Sequence, residues 1–143
     1  MDSCDTNILF YALNPRCPEH AAARGYLDAQ GSNRDFGLCE LVLLELYVLL
    51  RNPAVSHHPA EAPAAVARIR QLRSNPNWAL LDYPGGLMDE VWTLAAKPGT
   101  RYGRIFDLRL AVTLRHHGVT RFATRNVKDF AHLGLAEVFD PLR

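Results

Sequence analysis

Residues 36–51 read FGLCELVLLELYVLLR. Residues 36–39 predict a short β-strand, and residues 41–50 predict a buried helix because they form a long apolar run that is rich in leucine. Elsewhere, strands are predicted at 78–82, 121–124 and 136–139, and helices at 6–13, 18–30, 63–74, 87–97 and 105–117. Strands that alternate with helices indicate an α/β domain with a mostly parallel sheet. In such a domain the functional site lies at the carboxyl ends of the strands.

The chain has the size and composition of one globular domain. Its 143 residues are 48% hydrophobic and 22% charged, which excludes disorder along the whole chain and predicts a single domain over residues 1–143. The longest apolar run, residues 41–50, is about half the ~20 residues that a membrane span needs, and Glu45 interrupts it. We therefore expect no transmembrane helix and no membrane partner.

The cysteines and the first residues of the chain indicate in which cellular compartment the protein is found. The chain has three cysteines, Cys4, Cys17 and Cys39, an odd number without the paired spacing of a zinc site. They predict reduced, mostly buried thiols in a cytoplasmic protein, and a redox-active or metal-binding thiol is the less favoured alternative. Residues 1–5 lack the basic region and apolar run of a signal peptide, which agrees with a cytoplasmic location.

Charge is distributed unevenly along the chain. The net charge is only +1, but residues 97–128 hold eight basic residues and one acid, Asp107, for a net charge of +7. The rest of the chain carries a net charge of −6. The eight basic residues are Lys97, Arg101, Arg104, Arg109, Arg115, Arg121, Arg125 and Lys128. Such asymmetry within one domain favours a basic face that binds a polyanion, with a solvated helix surface as the alternative.

Glu45 occupies an unusual position on its predicted helix. The residues three and four positions away are all apolar, namely Leu41, Val42, Val48 and Leu49. No rotation of the helix therefore gives Glu45 a polar face, and a helix that is apolar all round is normally buried. A buried carboxylate is costly unless it is paired or binds a metal. A salt bridge to an arginine, or an opening in the core, is the alternative explanation.

Two further acids stand at predicted helix starts. Asp5 precedes the helix at 6–13, and Asp107 heads an apolar stripe that continues with Leu110, Ala111 and Leu114. Either acid could simply cap its helix or stabilise the helix dipole. Together with Glu45, however, they form the kind of carboxylate set that selects Mg²⁺ or Mn²⁺, the usual means of activating water against a phosphodiester. With the basic segment, these acids predict metal-dependent phosphoryl chemistry on a polyanion.

The order of these motifs resembles that of PIN-domain ribonucleases, specifically the VapC-type toxins of bacterial VapBC toxin–antitoxin pairs. Asp5-Thr6-Asn7 before an apolar run is similar to the family's first acidic motif, and Leu44-Glu45-Leu46-Tyr47 is similar to its second. Asp107-Leu108-Arg109-Leu110-Ala111 is similar to the third. Residues 123–130, which read ATRNVKDF, resemble the closing motif, and residues 139–141 resemble the short final strand. The resemblance spans nearly the whole chain.

The resemblance implies a fold, an activity and partners. It implies a three-layer α/β/α PIN-like domain with a central, mostly parallel sheet. It also implies Mg²⁺ or Mn²⁺ at Asp5, Glu45 and Asp107, with endonucleolytic cleavage of RNA. A cognate VapB-type antitoxin and a toxin homodimer are the implied protein partners.

The fourth acidic position of the family falls here on a neutral residue, Asn126. Asn126 can still offer its amide oxygen to a metal or to a metal-bound water, and Asp129 can restore the missing charge. We therefore expect both residues to take part in the catalytic site. The candidates for contact with RNA phosphates are Arg104, Arg109, Thr124 and Arg125.

Other functions remain open at this point. A PIN-like module that has lost turnover and binds RNA or protein is favoured by the neutral Asn126. A phosphatase with Asp5 as its nucleophile is disfavoured, because such enzymes usually carry a second aspartate two residues later, where this chain has Asn7. No glycine-rich phosphate loop is present, which argues against a nucleotide-hydrolysing switch.

Overall fold

A computed structural model describes residues 1–143, in which twelve helices and strands follow one another along the chain. In chain order they are β1 (Asp2–Cys4), α1 (Thr6–Leu13), α2 (His20–Gln30), β2 (Phe36–Cys39), α3 (Glu40–Arg51), α4 (Ala62–Arg73), β3 (Trp78–Leu81), α5 (Met88–Ala95), α6 (Arg104–His116), β4 (Arg121–Ala123), α7 (Val127–Phe130) and β5 (Glu137–Phe139). None of the helices has the length and apolar character that a membrane crossing requires.

The five strands form one sheet in the order β3-β2-β1-β4-β5, and every neighbouring pair is parallel. The chain moves from β1 outward to β3 and then returns to the other side of β1. Right-handed crossovers therefore place α1 to α4 on one face and α5 to α7 on the other. The packing of α1 on α2 and α3, and of α5 on α6, agrees with this arrangement. The predicted α/β fold with a parallel sheet is confirmed.

The core lies between the sheet and its helices. Fully buried side chains include Phe36, Leu38 and Phe122 from the strands, with Leu46 and Leu114 from the helices that cover them. The three cysteines are free, and Cys4 and Cys39 are buried in this core, as the sequence predicted.

Two short elements were not predicted. Residues 2–4 form β1, which pairs with both β2 and β4 at the centre of the sheet. A three-residue strand is too short to show a pattern, so its pairing is set by its neighbours and not by its own sequence. The segment after β4, interpreted as a turn, contains the single helical turn α7.

The expectation that α3 is buried on all sides is wrong. Val42 and Leu46 are fully buried, but Leu44 is 65% exposed and Val48 is 59% exposed. One side of α3 packs on the sheet and on α1 and α4, while the other borders an open cleft. Leucine and valine on that open side are therefore surface residues, which hydrophobic periodicity alone could not reveal.

Candidate metal centre and substrate cleft

The site forms where the strand order reverses. β1 and β4 are adjacent, but their following helices leave toward opposite faces of the sheet, which opens a crevice at the strands' carboxyl ends. The backbone N–H of Asp5, directly after β1, donates to the carbonyl of Ala123 at 2.9 Å. The backbone N–H of Thr124, directly after β4, donates to Phe139 at 2.9 Å. These bonds fix both strand ends at the crevice.

Asp5 is the most deeply placed of the candidate acids, with 6% of its surface exposed. Its Oδ1 accepts from the backbone N–H of Thr6 at 2.8 Å and so caps α1. Its Oδ2 accepts from the Thr124 hydroxyl at 2.7 Å and from the Asn7 amide at 3.2 Å. Burial raises the pKa of Asp5, the hydrogen bonds partly lower it, and the nearby charge of Asp107 raises it again.

Glu45 reaches the same crevice from the middle of α3. Its Oε2 accepts from the Thr6 hydroxyl at 2.8 Å, so one residue of α1 positions this side chain. Burial raises the pKa of Glu45, the Thr6 hydrogen bond opposes this, and Asp5 and Asp107 add to the rise. The alternative that Glu45 forms a salt bridge with an arginine does not hold, because no basic side chain pairs with it.

Asp107 lies in the first turn of α6, directly before the buried Leu108. Its Oδ2 accepts from the Arg104 guanidinium at 3.2 Å. Burial raises the pKa of Asp107, Arg104 lowers it, and the negative charge of Asp129 raises it. Asp107 is therefore partly neutralised within the chain, whereas Asp5 and Glu45 have no cationic partner.

One cleft of about 380 Å³ brings together the three predicted acids and Asn126. Its lining is Asp5, Thr6, Asn7, Glu45, Val48, Leu49, Asp107 and Asn126. No three of the carboxylates form a ready set of metal ligands in this arrangement, and each is held by a hydrogen bond of its own. The donor set nevertheless suits a hard divalent cation, since it offers carboxylate and amide oxygens. The negative charges of Asp107 and Asp5 also raise the pKa of neighbouring carboxylates, which a cation would offset.

Asp129 lies on the far side of Asp107. It lines a neighbouring cavity with Arg101, Tyr102, Arg104 and Asp107, and it does not line the cleft that holds Asp5 and Glu45. No side-chain hydrogen bond caps α7, so neither Asn126 nor Asp129 is occupied in helix capping.

The candidate phosphate contacts separate into different roles. Among the three arginines, only Arg104 pairs with one of the three acids. The Arg109 guanidinium lies 4.6 Å from the centre of the Tyr83 ring, and Arg125 pairs with Asp140 at 3.2 Å. Thr124 is fully buried, and its hydroxyl donates to the carboxylate of Asp5.

Two positioning residues were not assigned from the sequence. Thr6 holds Glu45, and Asn7 holds Asp5 while its side-chain oxygen accepts from the backbone N–H of Arg125 at 3.3 Å. Both belong to the quoted motif Asp5-Thr6-Asn7, so the signal was present in the polar residues that follow the first acid. Their partners lie far away in sequence, which is why the motif alone did not reveal their roles.

Comparison with known proteins agrees with this architecture. The family model of the PIN domain matches residues 4–135. Ribonuclease VapC24 of Mycobacterium tuberculosis is 51% identical over 142 residues, which cover 99% of this chain and 97% of that protein.

Solved structures show the same fold. The crystal structure of VapC20 of Mycobacterium tuberculosis, a toxin that cleaves the sarcin–ricin loop, matches with a TM-score of 0.71 at 18% identity, over 94% of this chain and 96% of that one. VapBC2 of Rickettsia felis, bound to a DNA fragment from its promoter, matches with a TM-score of 0.67 at 18% identity, over 97% of both chains. The extent of these matches and the acids in the crevice lead to one conclusion: the chain belongs to the PIN-domain family, as a VapC-type ribonuclease toxin.

Proposed function

We propose that this VapC-type ribonuclease hydrolyses RNA phosphodiester bonds with the help of Mg²⁺ or Mn²⁺ held by Asp5, Glu45 and Asp107. The observation that carries the proposal is the convergence of these acids, from three distant parts of the chain, on one cleft. Two of them have no cationic partner within the protein. A divalent cation would supply the missing positive charge.

The chemistry that such a cation supplies is a lowered pKa of bound water and stabilisation of charge on the phosphate. The residues of the chain hold the acids ready for this task. Thr6 fixes Glu45, while Thr124 and Asn7 fix Asp5. Arg104 lies beside Asp107, where its guanidinium can contact a phosphate oxygen of the RNA that flanks the reaction.

Incubation of an RNA with the purified protein, with and without divalent cation, tests this function. Cation-dependent cleavage supports hydrolysis at the three acids. The second candidate, a binding module without turnover, predicts retention of RNA that stays intact under every condition. The neutral Asn126 in the cleft is the observation that favours this second candidate.

A cognate VapB-type antitoxin is the protein partner that we propose for the cleft side of the molecule. Leu44 and Val48 are one helical turn apart on α3, both are more than half exposed, and they flank Glu45. Apolar residues this exposed favour burial against a partner. An antitoxin segment that covered them would also block the cleft, so that antitoxin binding would inhibit RNA cleavage.

A second copy of the toxin is the other association that we propose. Trp92 on α5 and Phe106 on α6 are exposed by 57% and 59%, and the two helices pack on each other. Burial of these two rings in a homodimer would remove apolar surface from water. We place the RNA cleavage in the cytoplasm, where reduced cysteines such as the three here persist.

Salt is expected to weaken RNA binding strongly. If the basic segment 97–128 contacts the phosphate backbone, the logarithm of affinity should fall linearly with the logarithm of salt concentration, by about 0.7 for each phosphate contacted on a single strand. Fluorescence anisotropy with a labelled RNA over a salt series measures the slope. A flat response would instead assign these arginines to solubility or to antitoxin binding.

Substitutions at the closing motif are expected to change metal affinity in opposite directions. Asn126→Asp adds a carboxylate to the cleft and should tighten Mn²⁺ or Mg²⁺ binding, since affinity for hard cations rises with ligand charge. Asp129→Asn should weaken metal binding and cut cleavage, but less than Asp107→Asn, because Asp129 lies behind Asp107. Calorimetric titration of Mn²⁺ into the three variants gives the order.

A purely structural role of Asp129 predicts a different result. If this carboxylate only supports the short helix α7, Asp129→Asn should leave metal affinity and cleavage at the wild-type level. The cost in stability would then be at most about 1 kcal/mol, because asparagine substitutes well for aspartate near a helix start.

A further inference from the structure

Tyr102 is the most exposed of the large hydrophobic side chains. It lies in the loop before α6 with 100% of its surface accessible. The ring lines a cavity of about 300 Å³ whose other walls include Arg101, Arg104, Asp107 and Asp129. A fully exposed aromatic ring therefore stands beside one of the three acids of the proposed metal centre.

A basic groove continues from this cavity. The groove has a volume of about 680 Å³ and shares Arg101, Arg104 and Asp129 with the cavity. Its other charged or ionisable walls are Lys97, Arg115, Lys128 and His132. The groove and the cavity thus form one continuous surface that leads away from Asp107 between the loop before α6 and helix α7.

The cations of this groove differ in their availability. Arg104 pairs with Asp107 and Arg115 pairs with Glu90, so the charges of both are already compensated. Lys97, Arg101 and Lys128 have no acidic partner, and all three are exposed. Three uncompensated cations in one groove fit a polyanionic backbone better than a neutral ligand.

We propose that this surface is the subsite for an unpaired nucleotide of the substrate RNA, with its base stacked on Tyr102 and the adjoining phosphates held by Lys97, Arg101 and Lys128. The proposal rests on the proposed ribonuclease function and specifies the form of the substrate. An aromatic ring beside a basic groove binds single strands, because a base must leave its own stack before it can lie on the ring. A regular duplex offers its phosphates to the groove but no free base face to Tyr102.

Binding measured by fluorescence anisotropy tests the subsite independently of cleavage. The probes are single-stranded RNA oligomers of about 12 nucleotides and the same strands annealed as duplexes, in excess EDTA, with the integrity of each probe checked on a gel. Tyr102→Ala is expected to weaken single-strand binding by about 5- to 150-fold, the range of one stacked base. Tyr102→Trp should bind at least as tightly as the wild type.

Matched controls distinguish the roles of the Tyr102 ring and of the groove cations from the effect of changing any exposed side chain. Val55→Ala shortens an exposed apolar side chain that lines neither cavity, and Arg70→Gln removes an exposed arginine on α4. Both should bind RNA like the wild type. Arg101→Gln and Lys128→Gln should each reduce the salt slope by about 0.7. Since Tyr102 makes no buried contact, its variants should keep the wild-type melting temperature.

Three results would overturn the subsite. Tyr102→Ala could bind single strands as tightly as the wild type does, or the wild type could bind duplexes as tightly as single strands. Tyr102→Ala could also lose affinity for the antitoxin without losing affinity for RNA. The failure of the metal-centre proposal would look different, because RNA would then be bound at Tyr102 without cation-dependent cleavage.

Discussion

Excess EDTA is expected to abolish RNA cleavage, and Mg²⁺ or Mn²⁺ is expected to raise the melting temperature of the protein. Asp5, Glu45 and Asp107 line one partly buried cleft, where their like charges destabilise the fold. A cation that binds only the folded protein relieves this repulsion. At a concentration about 100 times the dissociation constant, the gain of about 2.7 kcal/mol corresponds to a rise of about 5–10 °C.

Differential scanning fluorimetry over a metal series and a cleavage assay in parallel measure both effects. The Asp5→Asn, Glu45→Gln, Asp107→Asn triple variant is the control, since its melting temperature should not respond to the metal. Cleavage that continues undiminished in excess EDTA would refute the metal centre.

Glu45→Gln is expected to reduce cleavage by more than about 100-fold. Substitution of a residue that only hydrogen-bonds to a metal ligand already costs about 10- to 100-fold in activity or metal affinity, and loss of a ligand should cost more. The fold should be retained or stabilised. The glutamine side-chain oxygen can still accept the hydrogen bond from Thr6, and a partly buried charge without a cationic partner is removed.

Glu40→Gln is the matched control on the same helix. Glu40 stands at the start of α3 and pairs with Arg73 at 2.9 Å, away from the cleft. Its substitution should cost at most about 1 kcal/mol and leave cleavage unchanged. If Glu45→Gln instead unfolded the protein while the folded fraction kept its activity, Glu45 would be a structural residue.

Sequence patterns predicted the longer elements well. The strand at 36–39 and the helix at 105–117 were placed within a residue of β2 and α6, because long apolar runs and a terminal glycine mark their limits. β1 escaped prediction because three residues carry no period. Its place at the centre of the sheet depends on pairing with β2 and β4. The paired residues are 34 positions apart for Asp2 and Phe36 and 119 positions apart for Cys4 and Ala123.

The candidate site was predictable in its acids and less so in its surroundings. Asp5, Glu45 and Asp107 each stand at a predicted helix start or on an apolar helix face, in the order of the family's acidic motifs, and the structure lines one cleft with them. The direction of a surface arginine depends on partners that are distant in sequence. Arg125 turns toward Asp140 and Arg109 toward Tyr83, so a count of basic residues could not say which of them face the cleft.

The central position of β1 has a consequence for the synthesis of the toxin. β1 is synthesised before the other four strands, but its neighbour β4 begins only at Arg121. Until then Asp5 lacks Thr124, and one side of β1 has no strand beside it. Nascent chains and fragments that stop before Arg121 therefore have no assembled cleft, and the cell that makes the toxin meets a competent nuclease only after β4 has been synthesised.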